Sequence, residues 1–133
     1  MQKIKKRLIL TKEDFQTIMH YLKGTAGKFS FNQHEASEME QELKKAKLIS
    51  ETKFPEDVVK LNSFVTIKDE DAGKIMKVMV VPPVRADIKK MMISVMSPIG
   101  TALIGYQKGE QVSWKVPAGR KTFTILDVQN SFP

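Results

Sequence analysis

The sequence predicts an α+β protein in which a short N-terminal antiparallel helical hairpin, a miniature coiled coil, precedes a domain with a twisted, mostly antiparallel sheet and one short helix. Three observations carry this reading. Apolar residues recur at helical spacing up to about Ala46 and alternate with period two from Phe64 onward. One capped helix start, Ser97-Pro98, interrupts the strands. Pro55 and the Pro82-Pro83 pair stand where elements must stop. The division expected is residues 1–50 for the hairpin and 51–133 for the sheet domain.

Thr11 opens the first helix with Asp14 three positions later, and Phe15, Ile18, Met19 and Leu22 form its apolar face as far as Lys23. Gly24 and Gly27 break the pattern. A second helix is expected from Asn32, with Glu35 at the capping-box position and Ala36, Met39, Leu43 and Ala46 facing inward. Ser50 to Ser63 then connects the hairpin to a strand at Phe64, Val65 and Ile67, an Asp69-Glu70-Asp71-Ala72-Gly73 turn, and a return strand over Lys74 to Val81. Arg85 to Met91 is a basic connection, and Ile93 and Val95 alternate with Ser94 and Met96 in the manner of a strand. Ser97 supplies an N-cap oxygen, Pro98 fills the first helical position, and Gly105 ends the helix. A last hairpin joins Gln111–Val116 to Lys121–Val128 through Pro117-Ala118-Gly119.

At 133 residues and 41% apolar content the chain can bury one modest core. No apolar stretch approaches the roughly 20 residues that span a bilayer, and Leu8-Ile9-Leu10 behind a basic start is too short for a signal sequence, so a cytoplasmic protein with no membrane partner is expected. Zero cysteines exclude disulfides, thiolate nucleophiles and cysteine-ligated zinc. The net charge of +7 favours an acidic partner and leaves room for a weak nucleic-acid contact. Only Lys3, Lys5, Lys6 and Arg7 form a dense cluster.

Catalytic groups are hard to find. His20 and His34 are the only histidines, and nothing near them completes the ligand set of a stable metal site. Ser94, Ser97 and Ser113 lack the glycine-flanked turn of a hydrolase nucleophile. Asp69, Glu70 and Asp71 read as a hairpin turn, without the spacing of a calcium loop. Met76, Met79, Met91, Met92 and Met96 are either core filler or an adaptable partner surface, and Phe29 and Phe31 either fold onto the hairpin or insert into a partner.

The run from Ile93 to Val116, ISVMSPIGTALIGYQKGEQVSWKV, resembles the C-terminal domain of the bacterial GreA/GreB transcript-cleavage factors and of the related nucleoside diphosphate kinase regulators. Those chains carry a similar S-P-I/V-x-x-A-L-I/L-G segment followed by a G-[DE]-x-V turn. The likeness extends over about Phe54 to Asn130, through Phe54-Pro55-Glu56-Asp57-Val58-Val59, Asn62-Ser63, Ser97-Pro98-Ile99-Gly100, Ala102-Leu103, Gly105, Gly109, Trp114 and Pro117. It implies an FKBP-like C-terminal domain that docks beside the secondary channel of bacterial RNA polymerase. The contacts it implies fall on the turn before the short helix, Met96, Ser97, Pro98 and Ile99, with Phe29 and Phe31 added from the tip composition.

Gre factors place a metal ion in the polymerase centre with the acidic tip of a long coiled coil. Here the first helix reaches only about 20 Å, and the tip, residues 24–31, has one charge, Lys28. The expectation is therefore an accessory factor, monomeric when free, that occupies the Gre site and modulates elongation without cleaving RNA, and is no enzyme and needs no cofactor or metal. The alternatives are a transcript-cleavage factor using Glu35 or Glu38 and a basic nucleic-acid-binding module, for which the sequence shows no RNP-like motif.

Overall fold

A computed structural model of the chain describes residues 8–25, 33–116 and 119–130. The chain enters through β1 (Ile9–Leu10), and Thr11 then starts helix α1 (Lys12–Thr25), its hydroxyl oxygen accepting the Asp14 N–H at 3.1 Å. Glu13 and Asp14 in the first turn and Lys23 in the last complement the helix dipole. Helix α2 (Gln33–Lys44) follows, and Ile18 and Leu22 of α1 are buried in one cluster with Met39 and Leu43 of α2, as the apolar spacing requires.

A feature that periodicity does not announce closes the base of this hairpin. Strand β2 (Lys47–Leu48) pairs in parallel with β1, and the Lys47 and Ile49 N–H groups donate to the carbonyls of Leu8 and Leu10 at 2.7 and 2.9 Å. Leu8 and Leu10 are buried, so the residues behind the basic start belong to the core.

The larger sheet has the strand order β5-β4-β3-β7-β6, with β3 (Phe64–Asp69), β4 (Lys74–Val81), β5 (Met92–Ser94), β6 (Gln111–Val116) and β7 (Gly119–Gln129). All pairs are antiparallel except β4 with β5. Alternation sends Val65, Ile67, Val78, Val80, Ile93 and Ile125 to one face, where helix α3 (Pro98–Leu103) contributes Ala102 and Leu103 to the same core. That core also takes in Ile18, Leu22, Met39 and Leu43, so the apolar interior runs without a break across residue 50. Hairpin and sheet are further joined at Gly105, whose φ of +82° suits glycine and whose carbonyl accepts the Ile9 N–H at 3.4 Å. A Cβ there would lie 2.9 Å from that of Leu8, so glycine also lets β1 approach the end of α3.

Candidate functional site

The turn between β5 and α3 is held from several sides. Ser97 caps α3, accepting the Gly100 N–H at 3.1 Å while its hydroxyl donates to the Ser94 carbonyl at 2.7 Å. The Ser97 N–H donates to that same carbonyl at 3.0 Å, and the Thr101 hydroxyl donates to the Val95 carbonyl at 3.0 Å from a buried position. Gly100 packs so closely over this turn that an added Cβ would lie 2.8 Å from the Val95 Cα and closer still to the Ser94 carbonyl oxygen. Backbone cannot retreat as a side-chain tip can, so position 100 requires glycine.

The result is a rigid turn with a small exposed crown. Pro98 is exposed, Ser97 and Ile99 are half-buried, and Ile99 packs on the core edge. Met96 corrects the sequence reading. Its side chain is 1% exposed and packs among the core residues, so it supports the turn from inside and offers no surface contact. Phe29 and Phe31 lie outside the described residues.

A second polar joint lies at the base of α1. An open cleft of about 610 Å³ is walled by Asp14, Glu51, Lys60 and Asn130 among others, and Asp14 accepts the Leu61 N–H there at 2.9 Å. Burial raises the Asp14 pKa above the ordinary carboxylate range, opposed by the Leu61 hydrogen bond and the Lys60 charge. Lys60 pairs with Glu51 at 2.5 Å. The Asn62-Ser63 pair finds its reason here. Asn62 adopts a φ of +73°, which asparagine tolerates better than most residues. Ser63 is fully buried, accepts the Lys60 N–H at 2.8 Å and donates to the Asn130 side chain. Asn130, which period and turn signals do not single out, also donates to the Glu56 and Val58 carbonyls at 3.1 and 2.7 Å, so it stitches the chain's end to the approach to β3.

The other candidates resolve into structure. Asp69 accepts the Asp71 and Ala72 N–H groups and the Lys121 ammonium, the last at 2.8 Å, which holds its carboxyl below the usual range and lifts the lysine. That arrangement is a locked hairpin turn. His20 is exposed and meets the Tyr21 ring edge-on at 5.4 Å. Among the described residues no three His, Asp or Glu side chains are grouped to hold a metal ion, and no helix is long and apolar enough to cross a membrane.

Against known proteins, residues 54–130 match the sequence model of the family described as transcription elongation factor GreA/GreB, C-terminal domain. Over 100 residues the chain is 38% identical to the transcription elongation factor GreA of Bradyrhizobium diazoefficiens, covering 75% of this chain and 64% of that one. The corresponding figures for Clostridium botulinum GreA are 35%, 75% and 62%. The chain thus matches less than two thirds of the length of these relatives. Among solved structures, a prokaryotic transcription elongation factor GreA/GreB from Nitrosomonas europaea superimposes with a TM-score of 0.75 at 25% identity, covering 95% of this chain and all of that one. Gfh1 of Thermus aquaticus shares the fold, with a TM-score of 0.50 at 23% identity over 95% of this chain and all of that one.

These relatives overturn one expectation. A short hairpin with an uncharged-to-basic tip suggested a protein apart from any enzymatic reaction, yet three quarters of the chain aligns with proteins named transcription elongation factor GreA. The charge count of one short tip does not decide whether a chain takes part in an enzymatic reaction. The chain belongs to the GreA/GreB family of transcription elongation factors.

Proposed function

We propose that this protein is an accessory factor of bacterial RNA polymerase that docks through the Ser97-Pro98-Ile99 turn beside the secondary channel and modulates elongation from there. The observation that carries the reading is the turn itself, an exposed proline on a backbone fixed by the Ser97 cap and the Gly100 close approach, within the family-matched segment 54–130. A pre-organised turn loses little conformational freedom on binding, which suits a small contact. The same reading assigns Phe29 and Phe31, in the segment between α1 and α2, to the polymerase contact, and it places the protein in the cytoplasm with its partner.

Purified core RNA polymerase supplies the test. The full chain should bind it and compete with a labelled Gre factor, and it should change the rate of 3′ RNA cleavage in backtracked complexes. A Pro98→Asp variant puts an acidic residue at the first helical position, which helices accept well, and should lose binding with its fold intact. Failure of the unmodified chain to bind polymerase or displace the Gre factor would sink the reading.

A further inference from the structure

The connection between β4 and β5 carries a second surface of distinct composition. Its backbone is fixed. Asp87 and Met92 exchange two hydrogen bonds, N–H to carbonyl, at 2.9 and 3.0 Å, and the Asp87 side chain accepts the Lys89 N–H at 3.1 Å. Residues 88–91 are therefore a closed tip, with Met91 in the left-handed conformation at φ 58°. That conformation suits glycine better than methionine, so the fold carries strain where it keeps an apolar side chain at the surface.

Apolar and cationic side chains are interspersed on this frame. Val84 and Ile88 are 78% and 72% exposed, and Met91 is exposed beside them. Arg85, Lys89 and Lys90 stand between them, and among the described residues no carboxylate pairs with any of the three. The Arg85 guanidinium donates to the neutral Asn62 side-chain oxygen at 2.5 Å. The one acid in the tip, Asp87, is spent on capping. Strand β5, three residues and about 10 Å long, and the buried pair Val95 and Met96 separate this tip from the Ser97-Pro98 turn.

We propose that the Val84–Met91 tip is a second docking surface, at the other end of β5 from the Ser97-Pro98 turn, that takes an acidic segment of RNA polymerase bearing apolar side chains. This rests on the polymerase reading above and names the chemistry of its partner. Three cations that have no carboxylate partner among the described residues call for an acidic surface. Exposed Val84, Ile88 and Met91 have nothing to bury against a phosphate backbone, and the tip has no aromatic ring on which a base could stack, so protein is favoured over nucleic acid.

The experiment measures affinity for core RNA polymerase across a salt series, with melting temperature in parallel, for the full chain and four variants. Ile88→Ser and Met91→Gly should each weaken binding about tenfold, the loss of a well-packed apolar contact, without lowering the melting temperature. Met91→Gly also relieves the left-handed residue, so it reports on contact and not on folding. The Lys89→Glu, Lys90→Glu double variant should bind more weakly still, with a shallower salt dependence. Pro98→Asp reports on the first turn. If it fails to bind while the tip variants bind like the unmodified chain, the tip is no interface and this inference falls while the polymerase reading stands. No binding by the unmodified chain overturns both. If charge reversal abolishes binding to a duplex DNA probe but leaves polymerase affinity unchanged, the tip serves nucleic acid and the inference is wrong.

Discussion

The Asp14 carboxylate, in the first turn of α1, accepts the main-chain N–H of Leu61 at 2.9 Å across 47 residues of sequence, and so ties the helical hairpin to the segment that leads into β3. Burial outweighs this bond and raises the Asp14 pKa. A group raised in the folded state contributes stability when protonated, and that contribution is lost as pH climbs through its folded pKa. Asp14→Ala should cost about 1–3 kcal/mol by leaving the Leu61 donor unsatisfied. Asp14→Asn keeps a carbonyl acceptor without the charge and should equal or exceed the unmodified chain at pH 7, with the gap closing as pH falls toward 4. Urea melts at both pH values check this, and an Asn variant as weak as the Ala variant refutes it.

Asp69 behaves in the opposite sense. The Lys121 ammonium and the turn N–H groups lower its pKa, so its stabilising contribution is present above the unfolded carboxylate range and is lost as pH falls through the folded value. Asp69→Asn should therefore lower the melting temperature at pH 7. The difference from the unmodified chain should shrink as pH falls through the lowered Asp69 pKa, and a deficit constant with pH would show that Lys121 contributes nothing.

Gly100 permits the most direct packing test. A Cβ there meets the Ser94 carbonyl and the Val95 Cα, both backbone, so Gly100→Ala should destabilise the chain by about 1–3 kcal/mol, the usual cost of forcing atoms into a filled space. An unchanged melting temperature would mean that the β5–α3 turn is softer than its hydrogen bonds imply.

Much of this architecture was legible because local signals agree with the global fold. Thr11 and Ser97 both cap the helices their spacing marks, and the period-two run from Phe64 places Val65, Ile67, Val78 and Val80 on the buried face. The missing parts share a cause. The β1–β2 pairing joins two-residue strands on either side of two helices, and no periodicity exists at that length. Asn130 acts through side-chain bonds to carbonyls more than 70 residues away. Met96 was misread because alternation from Ile93 and Val95 points it outward, whereas the strand ends at Ser94. There the Ser94 hydroxyl accepts the Met96 N–H at 3.0 Å and the turn rotates the side chain into the core.

That reversal changes what substitutions in the turn should do. A carboxylate at a position 1% exposed has no partner and no water, so Met96→Asp should cost more than about 3 kcal/mol and lose polymerase binding only because the domain unfolds. Ser97→Ala removes the α3 cap and the donor to the Ser94 carbonyl, which should cost about 1 kcal/mol and weaken docking modestly through the turn geometry. Pro98→Asp, exposed and at a helix start, should leave the melting temperature within a degree or two and abolish docking. Thermal melts and polymerase affinity measured together separate the three: the first variant moves both, the second moves both slightly, and the third moves affinity alone. A Met96→Asp chain that melts like the unmodified protein would show that the side chain can leave the core, and Met96 would then return as a contact residue.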